Sequence, residues 1–151
     1  VQYYRGPKGQ ERKVRVKSPD GSTQYYYDGP RGEERLMQDI AFGIVTYYKG
    51  PRDRERKTHS VDSDGDVVHY EGDKGAEHIV RISATDGSAE EFEGPQGRER
   101  LVRSMELDGS TVFYEGPTGE EHPVRMRRAD GVMRRVRYSD EWLAHVSNSH
   151  V

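Results

Sequence analysis

The sequence lacks several features on which common sites and architectures depend. It contains no cysteine, which excludes disulfide bonds, thiolate metal sites and cysteine nucleophiles. It has one tryptophan, and Leu, Ile, Val and Phe together contribute only 26 of the 151 residues. No run approaches the roughly 18 apolar residues that a membrane-spanning helix needs. A large dry core, a disulfide scaffold and a transmembrane helix are therefore excluded.

Charged residues are abundant, but the two signs are nearly balanced. There are 24 basic and 27 acidic residues, which leaves a formal net charge of −3. Disorder requires a high net charge as well as low hydrophobicity, so this balance favours a folded chain. The balance also gives no electrostatic reason to expect nucleic acid or an anionic membrane as partner. The compartment stays open, with an intracellular location favoured, and the chain begins inside a repeating unit, as a fragment of a longer protein would.

An internal repeat of about 22 residues dominates the sequence. A Gly, usually followed by Pro, opens each unit, and the first unit is one residue longer and the second one residue shorter than the others. Counted from this Gly as position 0, an aromatic residue stands at −2, Glu at 5, Arg or His at 6 and usually Val at 8. The six units open at Gly6, Gly29, Gly50, Gly72, Gly94 and Gly116.

Each unit is typical of two short strands and two turns. A second Gly stands at position 15 in most units, usually as Asp-Gly, for example Asp86-Gly87. Asp-Gly between β-rich runs predicts a two-residue hairpin turn. The Gly-Pro-x-Gly segments predict a four-residue turn with Pro at the second position. Strands such as 99–106 and 110–115 lie between the turns, so the sequence predicts an all-β meander of roughly twelve antiparallel strands.

The predicted organisation is one repeat domain followed by a short C-terminal segment. Residues 1–138 form the six-unit β-hairpin domain, and residues 139–151 form a cap or tail. We expect an open, curled single sheet, with a closed barrel as the alternative, since wide sheets tend to curl or close. Ser139 is predicted to cap a short helix, from which Trp142 and Leu143 would cover the last strand edge.

The two turns also predict which residues share a face. Counting outward from both turns places the aromatic residue, the Glu at position 5 and the residue at position 9 together, for example Phe92, Glu99 and Arg81. On the same register, His59 and His69 fall on opposite faces. Many small lateral contacts, and not one core, would then hold the sheet together.

The second unit is much more apolar than the others. This favours a patch that binds a protein partner or mediates self-association, and the alternative is a local core under a curl of the sheet. The candidate contact residues are Leu36, Met37, Ile40, Phe42, Ile44, Tyr26 and Tyr47.

Tyrosines are concentrated in the first half of the chain, where consecutive pairs put aromatic rings on both faces. Examples are Tyr3-Tyr4 and Tyr47-Tyr48. Because they alternate with Lys and Arg, they could stack on single-stranded bases or on sugars. Packing against the sheet face is the alternative, since Tyr favours strands.

No residue pattern predicts a catalytic or cofactor site. Asp62, Asp64 and Asp66 resemble a calcium loop, but they lie where the other units have a hairpin turn, and a plain turn is the preferred interpretation. No metal-ligand spacing such as H-E-x-x-H occurs. The Glu at position 5 recurs in every unit, so we expect a structural pairing role and not acid–base chemistry.

The repeat resembles that of the MORN proteins, whose units are β-hairpins marked by Tyr-x-Gly and Asp-Gly. Here Tyr70-Glu71-Gly72 matches the first mark and Asp86-Gly87 the second, and the likeness covers roughly residues 3–138. The Gly-Pro-x-Gly-x-Glu-Arg element replaces the Trp and Gly-x-Gly of that family. The resemblance implies a hairpin-repeat fold and a role in scaffolding, membrane association or protein interaction, without catalytic residues.

The sequence as a whole favours a non-enzymatic repeat module that serves protein interaction, scaffolding or assembly through an extended sheet surface. One alternative is binding of carbohydrate or single-stranded nucleic acid on the Tyr-rich faces. Another is a fragment of a larger array that assembles through its sheet edges.

Overall fold

The computed structural model describes residues 1–136, which form one open sheet of thirteen antiparallel strands in chain order. The strands are β1 (Gln2–Arg5), β2 (Arg12–Lys17), β3 (Thr23–Asp28), β4 (Arg35–Ala41), β5 (Ile44–Lys49), β6 (Arg56–Val61), β7 (Val67–Glu71), β8 (His78–Ser83), β9 (Ala89–Glu93), β10 (Arg100–Met105), β11 (Thr111–Glu115), β12 (His122–Arg127) and β13 (Met133–Arg135). The all-β meander is confirmed. The closed barrel is wrong, because β1 pairs only with β2 and β13 only with β12. The expected C-terminal cap and its helix lie outside the described residues.

Hairpin loops of three lengths explain the three lengths of the repeat unit. Most units have a three-residue loop: in the loop 85–87, Ala84 N–H donates to the Ser88 carbonyl at 2.9 Å, and Gly87 N–H donates to the Ala84 carbonyl at 3.1 Å. The first unit, which is the longest, has a four-residue loop, 19–22. The second unit, which is the shortest, has a two-residue loop, Phe42-Gly43. Variation in length is therefore confined to the loops, and the strands keep their pairing.

The predicted turn geometry is wrong at both ends of the unit. Asp-Gly supplies the last two residues of a three-residue loop, in which Gly87 takes a positive φ of 97° and Asp86 does not. This is the arrangement of a type I turn closed by a glycine bulge. In the Gly-Pro-x-Gly segment the hydrogen-bonded turn runs from Pro7 to Gln10 at 2.9 Å, so Pro is its first residue and not its second.

A β-bulge at position 8 interrupts the first strand of every unit. Between β9 and β10, Phe92 faces Leu101 and Glu91 faces Arg103, which leaves Val102 as the extra residue. The same shift occurs in the other five units, where the extra residues are Val14, Met37, Thr58, Val80 and Val124. A bulge adds one residue to one strand only and changes which residues share a face. The recurrent Val at position 8 therefore marks this bulge.

The loop length and the bulge together change the predicted faces. A one-residue change in pairing moves a whole strand's side chains to the other face. Arg81 pairs with Glu91, whereas Phe92 lies on the opposite side of β9, so the predicted Phe92–Arg81 face is wrong. His59 and His69 are direct partners, and their predicted separation onto two faces is also wrong. Below, the face that carries Glu91 and His59 is called the front face and the other the back face.

The sheet has almost no apolar core. Among the residues that the structure describes, Ala89 and Pro123 are the buried apolar residues, and no side chain is completely buried. The expectation that lateral contacts hold the sheet together therefore describes its packing well. No helix within residues 1–136 is long and apolar enough to cross a membrane.

The Glu at position 5 ties several units to the one before it. Glu77 accepts hydrogen bonds from Gly75 N–H in its own turn and from Lys57 N–H of the preceding unit, the latter at 3.1 Å. Glu55 reaches Leu36 N–H in the same way at 3.4 Å. Burial opposes ionisation of Glu77, but the backbone donors outweigh it, so its pKa lies below the ordinary value. These contacts give the repeated Glu a structural role.

Candidate interaction surfaces

A single row of side chains crosses the middle of the front face on all thirteen strands. Each member is the direct partner of the next. This central row consists of Tyr3, Arg15, Tyr26, Gln38, Tyr47, His59, His69, Arg81, Glu91, Arg103, Phe113, Arg125 and Arg135. Side chains at such positions are close enough to interact across every strand pair.

The middle of the central row is a stack of rings. Tyr47 and His59 stack with ring centroids 4.4 Å apart and an interplanar angle of 10°. His69 continues the stack, with its centroid 6.3 Å from that of His59. Burial, followed by the charges of His69 and Lys49, lowers the pKa of His59, because each disfavours the charged imidazolium.

Charged side chains continue the central row on both sides of the stack. Glu91 lies between Arg81, at 3.1 Å from Oε1, and Arg103, which contacts its other carboxylate oxygen. At the opposite end, the Arg15 guanidinium lies 4.0 Å from the centroid of the Tyr3 ring. The front face thus offers solvent a sequence of cations and aromatic rings.

The back face also has cations beside tyrosine rings, Lys13 at Tyr27 and Lys57 at Tyr70, and other tyrosines there contact smaller polar side chains. The Tyr48 hydroxyl donates to Asp39 Oδ2 at 2.5 Å, and the Tyr114 hydroxyl lies 3.3 Å from Ser104 Oγ. Burial and the Asp39 hydrogen bond raise the pKa of Tyr48. Ser104 is buried beneath this layer. The hydroxyls of these tyrosines therefore link neighbouring strands on the back face.

The structure distributes the predicted contact residues over both faces and one hairpin tip. Tyr26, Ile40 and Tyr47 lie on the front face, whereas Leu36 pairs with Tyr27 on the back face. Ile44 also lies on the back face, next to the tip of the β4–β5 hairpin, and Met37 is the bulge residue of β4. The seven residues therefore do not form one patch.

Phe42 stands apart from the other predicted contact residues. It occupies the first position of the two-residue loop, with a φ of 53°, and it is 89% exposed. A type I′ turn needs positive φ at both loop positions and favours Asn, Asp or Gly there. Its neighbour Ile44 is 42% exposed. The tip of this hairpin thus presents an aromatic ring in a strained conformation directly to solvent.

The three aspartates that resemble a calcium loop serve the hairpin turn between β6 and β7. Asp62 Oδ1 accepts from the N–H groups of Asp64 and Asp66 at 2.9 and 3.0 Å. Asp66 Oδ1 accepts from Thr85 N–H of the next unit at 3.2 Å. In the part of the chain that the structure describes, no three or more His, Asp or Glu side chains form a group that could hold a metal ion.

Two open depressions on the front face were not predicted from the sequence. One, of about 530 Å³, is lined by residues that include Tyr3, Arg12, Arg15 and Tyr26. The other, of about 310 Å³, is lined by residues that include Arg35, Met37, Tyr47, Lys49, Thr58 and His59. The sequence did not predict them because it did not reveal the β-bulge, and the bulge determines which cations lie beside which rings.

Comparison with known proteins gave no assignment. No protein-family model and no curated protein sequence matches the chain.

Proposed function

We propose that the chain is a non-enzymatic repeat module that binds a protein partner or another copy of itself through the tip of the β4–β5 hairpin. The observation that carries the proposal is Phe42, a bulky residue that is 89% exposed at a φ of 53°. The left-handed conformation costs an L-residue roughly 1–2 kcal/mol. Phe42 neither fills a core nor suits its turn, and a contact with another protein molecule explains both features.

The surrounding architecture supports a role in presentation. Because the sheet is a single layer, a partner can reach both of its faces and both of its rows of turns, across all thirteen strands. Its depressions are open to solvent, and a solvated carboxylate does not acquire the pKa shift that acid–base catalysis requires. The resemblance to MORN repeats, which serve scaffolding and interaction, agrees with this role.

The test is the Phe42→Asn variant, which removes the ring and places a favoured residue in the turn. The full chain serves as bait for quantitative co-purification, and its own association is measured by sedimentation. We expect Phe42→Asn to lose at least tenfold in the association that the wild type shows. Leu107→Asn is the matched control, because Leu107 is also exposed in a hairpin loop, at 68%. Equal association of wild type and Phe42→Asn would show the proposal to be wrong.

A further inference from the structure

The front face of strands β1–β6 carries a large excess of positive over negative side chains. Strand alternation and pairing place seven cations there and one anion, Asp28. The seven are Arg5, Arg12, Arg15, Lys17, Arg35, Lys49 and Arg56. In contrast, the front face of β7–β13 carries six Arg and four Glu in its strands. The near-zero net charge of the whole chain conceals this segregation.

Most of these cations are not neutralised by neighbouring carboxylates. Among the described residues, only Arg12 of the seven forms an ion pair, with Asp28 at 3.1 Å. On β8–β10, by contrast, Arg81, Arg103 and Arg100 are each paired with a Glu. The nearby Glu34 and Glu55 are not paired with these cations, because their carboxylates lie against turn amides, from which they accept hydrogen bonds.

The cations and the rings form two parallel tracks. Arg5, Arg12, Arg35, Lys49 and Arg56 lie in one row near the Gly-Pro turns. Tyr3, Tyr26, Tyr47 and His59 lie in the central row. On β1 and β5 the two tracks are two residues apart along the strand, about 6.8 Å. That separation is comparable with the distance from a phosphate to the base of the same nucleotide.

The two front-face depressions lie between these tracks. The larger, of about 530 Å³, has Arg5, Arg12 and Asp28 on one side, with Asp28 paired to Arg12, and Tyr3 and Tyr26 on the other. The smaller, of about 310 Å³, has Lys49 next to Tyr47 and His59. Both volumes fall within the usual range for small-ligand sites, roughly 300–1,000 Å³. Each depression thus pairs a cation with a ring that a base could stack on.

We propose that the front face of β1–β6 binds single-stranded nucleic acid. The outer cations neutralise phosphates, while Tyr3, Tyr26 and Tyr47 stack on bases. A basic surface that follows the backbone beside aromatic platforms is the arrangement by which proteins bind single strands without sequence preference. A polyanion without bases or sugars would use the cations but would gain nothing from the ring track. This proposal does not depend on the proposed protein interaction, which uses a different surface.

The test measures fluorescence anisotropy of a labelled oligodeoxythymidine of about 15 nucleotides, within the size of known single-strand sites. Salt is varied from about 50 to 200 mM, and each phosphate contact should contribute about −0.7 to the slope of log K against log salt. The charge variant combines Arg35→Ala, Lys49→Ala and Arg56→Ala. Its matched control removes three cations elsewhere, by Arg98→Ala, Arg128→Ala and Arg134→Ala. We expect the slope to become shallower by about 2 in the charge variant and to stay unchanged in the control.

A second pair of variants tests the ring track. Tyr26→Leu removes a front-face ring, and Tyr25→Leu removes its neighbour on the back face of the same strand. We expect Tyr26→Leu to weaken binding at least fivefold and Tyr25→Leu to bind as the wild type does, because stacking on one ring contributes on the order of 1–3 kcal/mol.

Three outcomes would overturn the proposal. The first is no binding of the oligonucleotide at about 50 mM salt, where charge contacts are strongest. The second is equal loss of binding in the two charge variants. The third is equal behaviour of Tyr26→Leu and Tyr25→Leu together with full competition by heparin, which would show a surface that binds any polyanion.

Discussion

His59 and His69 face each other across β6 and β7, with ring centroids 6.3 Å apart on the front face. Tyr47 lies on the other side of His59, at 4.4 Å, so His59 is held between two rings. The position of this stack depends on the three-residue loop 63–65, since a two-residue loop would have placed the two histidines on opposite faces.

Stability should fall when the medium is acidified through the histidine range. Burial, together with the charges of His69 and Lys49, holds the pKa of His59 below its ordinary value of 6.5. The unfolded chain therefore binds the proton more readily, so this contribution is complete above about pH 6.5 and is lost as the pH falls below it. Thermal unfolding between pH 8 and 5 measures the effect.

The control for this prediction is the His59→Gln variant. Its thermal stability should change less between pH 8 and 5 than that of the wild type. Titration of the His59 ring protons by NMR gives the direct check. A midpoint at or above 6.5 would contradict the described environment.

Removal of the Glu77 carboxylate should destabilise the junction between two units. Glu77 is 7% exposed and accepts from Lys57 N–H and Gly75 N–H. Hydrogen bonds to a charged group are worth roughly 1.5–3 kcal/mol, so Glu77→Ala should lower the free energy of unfolding by about 2 kcal/mol. Urea unfolding gives this value, and Glu115→Ala, which changes an exposed strand-end carboxylate, should change it by less than about 0.5 kcal/mol.

Protonation of the Glu side chains at position 5 should also destabilise the fold in acid. The pKa values of Glu34, Glu55 and Glu77 all lie below the ordinary 4.5, since backbone donors outweigh desolvation. Their contribution is present above about pH 4.5 and is lost as the pH falls through their folded-state values. In Glu77→Ala this acid-induced loss should be smaller than in the wild type, and an unchanged acid transition would argue against the role of Glu77.

Phe42→Asn should stabilise the fold. Asn tolerates the left-handed conformation that Phe42 adopts at a φ of 53°, and Asn-Gly is the preferred sequence of a type I′ turn. We expect the free energy of unfolding to rise by about 1 kcal/mol, the lower bound of the strain at this position. A lower midpoint in urea would mean that the ring packs on the sheet and does not serve an external contact.

The two glycines of the last Gly-Pro-x-Gly turn should differ in their tolerance of alanine. A Cβ on Gly116 would lie 2.5 Å from the Glu120 carbonyl oxygen, and its φ is 111°. A Cβ on Gly119 would meet nothing within 4 Å, at a φ of 81°. Gly116→Ala should therefore cost more than about 3 kcal/mol and Gly119→Ala about 1 kcal/mol. Equal costs in urea unfolding would contradict the described turn.

The repeat made the strands and their order predictable, because turn residues recur at fixed positions. The faces were not predictable, since they depend on two one-residue effects. Asp86-Gly87 suits a two-residue loop and also the end of a three-residue loop. Val102 looks like an ordinary strand residue, although it is the bulge. A period-2 pattern cannot reveal an extra residue when neither face is cleanly apolar.

The candidate surfaces were predictable only in part. Phe42 could be named only as one of seven candidates, because the second unit as a whole is more apolar than the rest. The basic front face could not, because summing charge over the whole chain gives −3. The face assignment groups Arg35, Lys49 and Arg56 and separates them from the acidic turns, and that assignment needs the bulge.

The central claim is that the repeats form one open layer that leaves both faces accessible. Because the chain has no cysteine, spin labels can be attached cleanly at Lys17→Cys in β2 and Arg127→Cys in β12. Ten strand spacings separate these sites in the open sheet, about 48 Å in the flat limit. In a closed barrel only three strand spacings, about 14 Å, would separate the two labels. The account predicts a measured distance several-fold longer than that. A measured distance as short as this barrel value would contradict it.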